Sequence, residues 1–181
     1  MALSTKYQHR PLSAGKNIRV LVLEPAWNLN APVNCRLQEL CIEGLESGEG
    51  QYEALSYCWG SIIRTEPITC EGKTLFVTRN CQDALRHLRF RWRQRILFVD
   101  VICIDQSLEN EKIHQVQLMG QIYASAAQVL VWLGAEDPVA ERFMRGLVWL
   151  GRLLPYCNET ITLGAYRVLY CYYRCSPDCK F

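Results

Sequence analysis

Four side chains at the end of one apolar run are the first candidates for chemistry. Ser56, Tyr57, Trp59 and Gly60 close the segment YEALSYCWG, residues 52–60. A tryptophan ring can stack on a flat ligand while a serine hydroxyl and backbone amides bind its polar atoms. The other interpretation is a core tryptophan beside a turn glycine, which composition alone favours. The residue types by themselves leave both interpretations open.

Two carboxylates belong to the second informative segment, LFVDVICIDQ, residues 97–106. Residues 96–104 are nearly continuous in β-branched and aromatic types, which predicts a strand buried on both faces. Asp100 would lie inside that strand, where a buried carboxylate is more often a structural anchor than a group that reacts. Asp105 would lie at the strand's carboxyl end, a better place for ligand contact. Strand alternation separates the two carboxylates, so a glycosidase-like pair is not expected.

A basic run spans residues 86–95, with Phe90 and Trp92 interleaved. Its arginines are Arg86, Arg89, Arg91, Arg93 and Arg95. Such a run can contact phosphate or nucleic acid, but it is more often a solvated helix face that leads into a loop. The formal net charge of +2 supplies no strong field, so nucleic acid is an unlikely partner.

Metal sites, nucleotide-binding loops and secretion are not expected. Ten cysteines are present, but residues 1–15 lack the apolar region of a secretory signal. We therefore expect a cytoplasmic chain with reduced thiols that pack as small hydrophobes. Zinc held by Cys157, Cys171, Cys175 and Cys179 is disfavoured by their spacing. Neither a Rossmann nor a P-loop glycine pattern occurs. Residues 113–135 carry no formal charge, yet their polar side chains indicate a helix–strand pair and not a membrane span.

The order of elements predicts an α/β fold. Strands are expected at residues 18–23, 35–42, 54–58, 96–104 and 129–133, with a hairpin over 68–78 that turns at Glu71-Gly72. One helix should begin at an Asn80 cap, and another should span residues 108–125. This predicts a parallel-sheet core with flanking helices and an N-terminal β-rich edge that contains the hairpin. Residues 147–173 suggest an apolar helix broken by Pro155.

Together with EKIHQVQLMGQIYASAAQVLVWLG, residues 111–134, the two segments resemble the heterokaryon-incompatibility (HET) domain of fungal proteins. That domain's motifs run Y-x-x-L-S-Y-x-W-G, L-W-I-D-A-I-C-I-N-Q, E-K-x-x-Q-V and V-W-L-G. The resemblance covers residues 18–134 and implies an N-terminal arm over 1–17, a HET domain over 18–150 and an atypical tail over 151–181. The matching motif residues are Asp100, Gln106, Glu111, Lys112, Gln115, Trp132 and Gly134. The family usually has asparagine where this chain has Asp105.

HET domains look like remote relatives of Toll/interleukin-receptor (TIR) domains, and this implies a TIR/flavodoxin-like fold. In that view Ser56, Tyr57, Trp59 and Gly60 line a pocket with Asp105 at its rim, and NAD is a substrate while no bound cofactor is required. The family resemblance implies an effector of non-self recognition and programmed cell death. Its expected partners are further copies of itself or other incompatibility proteins, and no membrane.

One family element does not appear in this chain. The segment close to R-x-W-x-x-Q-E, which resembles the TIR helix that bears a catalytic glutamate, is not found between Gly134 and Phe181. No catalytic residue is therefore assigned, and enzyme activity stays an open question. The missing segment suggests a HET protein truncated after V-W-L-G, or a minimal family member that works without that segment. The alternative to NAD cleavage is a non-catalytic, truncated interaction module that assembles with full-length HET proteins or blocks them.

Overall fold

The computed structural model describes residues 5–45, 48, 50–58, 63–132, 134, 161–163 and 166–170. In these ranges nine strands form one sheet, in the spatial order β5-β4-β2-β1-β6-β3-β7-β9-β8. The strands are β1 (Asn17–Leu23), β2 (Asn34–Cys41), β3 (Gly50–Tyr57), β4 (Glu66–Cys70), β5 (Lys73–Val77), β6 (Arg95–Phe98), β7 (Ala126–Trp132), β8 (Ile161–Leu163) and β9 (Tyr166–Tyr170). The helices are α1 (Arg79–Leu88), α2 (Asp100–Cys103) and α3 (Glu109–Ser125).

The middle of the sheet is parallel and its flanks are mixed. Strand β3 pairs parallel with β6 and β7, and β9 continues parallel beside β7. Strand β1 is antiparallel to both β2 and β6, whereas β4 is parallel to β2 and antiparallel to β5. The predicted α/β class is confirmed, with a mixed sheet.

The core forms where these central strands are buried on both faces. All of Ile18–Leu23 in β1 is buried, including Arg19, as expected for a run of β-branched and leucine residues. Phe98, Leu55 and Tyr52 belong to the same buried core. The buried Tyr52 hydroxyl donates to the backbone oxygen of Ile122, 2.6 Å away, and so ties β3 to α3.

Strands β4 and β5 turn at Glu71-Gly72. Both turn residues have positive φ, which is the backbone geometry of a two-residue type I′ turn. The first described residues run along β5, since the Tyr7 amide donates to the Thr74 oxygen at 2.8 Å. This arm therefore covers the outer edge of the sheet.

Helix α1 begins earlier than predicted, and Asn80 is not its cap. Thr78 is the cap residue, and its hydroxyl accepts from the Cys81 amide at 3.3 Å. The helix starts directly after β5 because Thr78 has extended backbone and a side chain that can reach that amide. Asn80 lies in the first turn, where its side chain makes contacts outside the helix.

The predicted strand over residues 96–104 is wrong in its second half. Strand β6 ends at Phe98, and the Val99 oxygen accepts from the amides of Ile102 and Cys103 at 2.9 and 2.7 Å, which closes the helical turn α2. Val101, Ile102 and Cys103 are buried in this turn. A short apolar run does not distinguish a buried helix from a buried strand. Consequently Asp100 and Cys103 are helical residues.

The C-terminal region also differs from its prediction where it is described. Tyr166–Tyr170 is strand β9, which pairs parallel with β7, and Ile161–Leu163 forms β8 beside it. The helix expected over 147–173 is therefore wrong at these positions, because the aromatic and β-branched residues of β9 extend the sheet. The remaining part of that prediction lies outside the described residues. No helix in the described ranges is long and apolar enough to cross a membrane.

Candidate functional site

The carboxyl ends of three parallel strands meet at one edge of the sheet. Tyr57 and Trp132 are register partners at the ends of β3 and β7, and Asp100 follows the end of β6 after a single residue. In open α/β sheets, ligands bind outside the carboxyl ends of parallel strands. We call Tyr57, Asn80, Cys81, Asp100 and Trp132 the edge cluster.

Trp132 and Asn80 join β7 to α1 on one side of this cluster. The indole Nε1 donates to Asn80 Oδ1 at 2.9 Å, and the Asn80 amide donates to the backbone oxygen of Cys58. The His87 ring stacks on the indole, with centroids 5.2 Å apart and planes inclined by 22°. The end of β3, the start of α1 and the end of β7 are thereby held in one arrangement.

Tyr57 contributes a neutral hydroxyl to the cluster. This buried hydroxyl lies beside the Cys81 thiol and has no oxygen or nitrogen hydrogen-bond partner in the described part of the chain. Burial raises the pKa of Tyr57, and the neighbouring Cys81 and Asp100 raise it further against the opposing charge of Arg64. A phenol in this state donates hydrogen bonds and does not act as a base at neutral pH.

Cys81 and Asp100 are the other ionisable residues of the edge cluster. Burial raises the pKa of the Cys81 thiol to about 12, so it stays protonated and is a poor nucleophile. Asp100 is half-buried at the start of α2, where its Oδ1 accepts from the Val101 amide at 2.6 Å. The edge cluster thus combines a neutral phenol, a neutral thiol and a carboxylate beside an indole.

The other predicted pocket residues divide among three locations. Ser56 is half-buried, but strand alternation puts it on the opposite face of β3 from Tyr57. Trp59 and Gly60 lie outside the described residues. Asp105 belongs to a different cluster, described next.

Asp105 is held at the start of the loop before α3. Its Oδ1 accepts from the amide and the hydroxyl of Ser107, at 2.9 and 2.6 Å, and its Oδ2 lies 3.9 Å from His9 Nδ1. Burial acts to raise the pKa of Asp105, but the Ser107 hydrogen bonds and the charges of His9 and Arg19 outweigh it, so the pKa is lowered. In the described residues these contacts join Asp105 to the arm and to α3, and not to Tyr57.

Glu111 and Gln115 lie one turn apart on the face of α3 that meets β1. The Glu111 carboxylate pairs with the buried Arg19 and accepts from the Asp105 amide at 2.7 Å. The buried Gln115 donates to the Asn17 oxygen at 2.8 Å. These two motif residues therefore dock α3 on the sheet.

The remaining motif residues have modest local roles. Gln106 donates to the Asp100 oxygen at 3.3 Å, and Lys112 reaches Glu109 at 3.5 Å on the helix surface. Gly134 has positive φ, a conformation that residues with a side chain rarely adopt.

The basic run is only partly solvated, which corrects its interpretation as an exposed face. Arg89 is buried and donates to four backbone oxygens, those of Asn28, Leu29, Ala31 and Pro32. Arg95 is buried as well, and pairs with Glu53 while donating to the Leu88 oxygen at 2.7 Å. Arg91 and Arg93 are exposed, as predicted. Two of the five arginines, Arg89 and Arg95, therefore stabilise the fold, because they donate hydrogen bonds to backbone carbonyl oxygens that would otherwise lack donors.

Sequence reasoning missed Arg19, Asn80 and Cys81. Arg19 carried a usable signal, since a charge inside an aliphatic strand requires a buried partner. Asn80 and Cys81 carried none, because their relation to β3 and β7 depends on how α1 packs. Within the described ranges, no three His, Cys, Asp or Glu side chains are grouped as metal ligands.

Comparison with known proteins places the chain in one family. The family model described as "Heterokaryon incompatibility protein (HET)" matches residues 52–152. The chain is 36% identical over 149 residues to "Heterokaryon incompatibility protein 6, OR allele" of Neurospora crassa, and this match covers 75% of the chain. It covers 21% of that relative, so the chain spans about a fifth of the relative's length. No solved structure matches. On the strength of these two matches, the chain belongs to the heterokaryon incompatibility (HET) family.

Proposed function

We propose that this chain acts in fungal heterokaryon incompatibility as a cytoplasmic effector of non-self recognition and cell death. Family membership and the name of the Neurospora relative support the role. The finer part of the proposal is that the domain is TIR-like and that its edge cluster binds and cleaves NAD.

The observation that carries this proposal is the meeting of Tyr57, Asp100 and Trp132 at the carboxyl ends of parallel strands. A site that binds and cleaves a nucleotide needs a surface for the rings, hydrogen-bond donors for the polar atoms and a negative charge near the positive charge that develops on the ribose. The edge cluster offers the last two, a neutral phenol that donates and a carboxylate, while the buried Trp132, stacked on His87, holds these groups in place. The clustering is consistent with a nucleotide substrate at this edge.

The proposed reaction is hydrolysis of the bond between nicotinamide and ribose. That carbon–nitrogen bond breaks, nicotinamide leaves with the bonding electrons, and water adds to the ribose carbon, giving ADP-ribose and a proton. Positive charge develops on the ribose before water adds, and a nearby carboxylate stabilises it. Asp100 is the carboxylate of the edge cluster, and the Tyr57 hydroxyl donates a hydrogen bond to the bound substrate.

The test measures nicotinamide released from NAD by the purified chain, with Asp100→Asn and Tyr57→Phe as variants. We expect Asp100→Asn to lower the rate by roughly 100-fold or more, a loss typical of a removed electrostatic stabiliser. Asp105→Asn is the matched control, because Asp105 contacts Ser107, His9 and Glu111 and lies outside the edge cluster, and it should keep most of the rate. Circular dichroism checks that each variant is folded. A folded wild-type chain that releases no nicotinamide would refute the NAD proposal.

A second function is favoured by the surface of α3: a non-catalytic module that self-associates or assembles with other HET proteins. Leu108, Ile113 and Val116 are 50%, 51% and 58% exposed. Ile113 and Val116 are neighbours on the face of α3 that points away from Gln115 and Ile122. Sedimentation of the wild type and Val116→Lys tests this function, with Gln117→Lys as a control on the same exposed face. Self-association that Val116→Lys alone abolishes supports this function, and a wild-type monomer at high concentration contradicts self-association.

A further inference from the structure

Two buried cysteines face each other across the joint that holds the β4–β5 hairpin to the rest of the sheet. Strands β2 and β4 share two register pairs, Asn34 with Thr69 and Cys35 with Cys70. Cys35 is 6% exposed and Cys70 is fully buried, and both thiols are free. Register partners on neighbouring strands point to the same face of a sheet. The two side chains therefore share one small compartment at this joint.

We propose that Cys35 and Cys70 form a reversible disulfide under peroxide, which makes the β2–β4 joint a thiol modification site independent of the proposed NAD chemistry. Neighbouring strands lie about 4.8 Å apart, within the roughly 4.4–6.8 Å between α-carbons that a disulfide spans. The Cys35 sulfur already lies at the joint, 3.4 Å from the Thr69 oxygen. Closing the bond therefore needs rotation of two side chains and no change of register.

The two thiols differ in reactivity in the way a dithiol site requires. A hydrogen bond from the Cys35 thiol, with a further one from the Tyr7 hydroxyl, holds the pKa of Cys70 below its ordinary value in spite of burial. The same pairing with Cys70, together with burial, raises the pKa of Cys35. Cys70 is thus the nucleophile, and Cys35 is the thiol that resolves the oxidised intermediate.

The chemistry balances with hydrogen peroxide as the oxidant. The Cys70 thiolate attacks one peroxide oxygen, which gives a sulfenic acid at Cys70 and, after proton uptake, one water. The Cys35 sulfur then attacks the Cys70 sulfur, the hydroxyl group leaves as a second water, and the disulfide forms. Two thiols and one peroxide become one disulfide and two waters. Peroxide reaches the pair in local fluctuations of the β4–β5 hairpin that leave the two sulfurs adjacent, because elements near the side of a sheet fluctuate at lower free energy than a core.

The test treats the reduced, folded full chain with hydrogen peroxide, blocks the remaining thiols and maps the tryptic peptides by mass spectrometry. Trypsin releases Cys35 in residues 20–36 and Cys70 in residues 65–73, and each of these peptides contains no other cysteine. We expect these two peptides to be joined, and to separate again with dithiothreitol. Cys35→Ala should reduce the joined species to background, whereas Cys41→Ala, a control in the same strand, should leave it unchanged.

A thermal melt adds a readout that needs no variant. The oxidised chain should melt roughly 5–10 °C higher than the reduced chain, because the new bond closes a long loop of the unfolded chain. The proposal is overturned if the folded chain oxidises at other cysteines while both peptides stay fully blocked. It is overturned equally if the two peptides join only in denaturant, or if oxidation lowers the melting temperature.

Discussion

Arg19 and Glu111 form a bidentate ion pair that joins β1 to the first turn of α3. Arg19 Nη1 lies 2.5 Å from Glu111 Oε1, and Nη2 lies 3.0 Å from Oε2. Both side chains are at most a tenth exposed. Arg19 also donates to the backbone oxygens of Cys103 and Arg10, so four segments converge on one guanidinium. Glu111, a residue of the family motif, therefore stabilises the fold by holding α3 on β1.

Removing the charge of Glu111 should destabilise the fold strongly. In Glu111→Gln the Arg19 guanidinium stays buried without its counter-charge, and we expect a loss of about 3–5 kcal/mol in the free energy of unfolding. Urea denaturation followed by circular dichroism measures the loss. Lys112→Gln is the neighbouring control, because its pair with Glu109 is exposed and should contribute about 0–1 kcal/mol. Equal losses in the two variants would contradict a special role for the Arg19–Glu111 pair.

Asp105 should make stability fall in acid. Its pKa in the folded chain is lower than the ordinary value of 3.8, so folding favours the carboxylate. The stabilisation is complete above that ordinary value and is lost as the pH falls through the lower, folded pKa. Melting temperatures of the wild type and Asp105→Asn, compared between about pH 5 and pH 2.5, measure the effect. The wild type should lose more than the variant over this range, and parallel curves would show that Asp105 does not contribute.

Arg89 should not tolerate lysine. Its guanidinium donates to four carbonyl oxygens of the loop before β2, a fan that a single ammonium group cannot reproduce. We expect Arg89→Lys to cost about 2–3 kcal/mol in chemical denaturation. Arg93→Lys is the control, since Arg93 is exposed over the Phe90 ring and should change stability by less than about 0.5 kcal/mol. A tolerated Arg89→Lys would mean that solvent supplies the missing donors.

Loss of the hydroxyl should change the free energy of unfolding differently at the two tyrosines of β3. Tyr52→Phe leaves the buried Ile122 oxygen without its donor. That unsatisfied oxygen should lower the free energy of unfolding by about 1–2 kcal/mol. Tyr57→Phe removes a hydroxyl with no oxygen or nitrogen partner in the described residues, so its stability should change little or rise. Denaturation of both variants beside the NAD assay separates a role in folding from one in binding. A large loss of stability in Tyr57→Phe would assign that hydroxyl to the fold.

Short sequence patterns were sufficient to predict those strands, helices and turns that depend on neighbouring residues alone. The aliphatic run of β1 and the Glu71-Gly72 turn each express a preference that acts over a few residues. Helix α3 was predicted from its apolar spacing, although Ile113 and Val116 of that spacing are exposed. The order of the HET motifs identified the family for the same reason, since it is written along the chain. The prediction for residues 97–103 was partly wrong, because a short apolar run indicates burial but does not distinguish a strand from a helix.

The tertiary structure alone decided which distant residues meet. Strand order and register decide three sets of contacts. Arg89 binds a loop some sixty residues away, and Cys35 faces Cys70. Asp105 contacts His9 and Glu111, whereas Tyr57 contacts Cys81. Strand order and register are properties of the whole sheet, in which many weak contacts are satisfied together. The sequence by itself determined the family, the class of fold and most of the elements. Packing determined which side chains became structural and which remain available for chemistry, because burial and partnership exist only once the chain has folded.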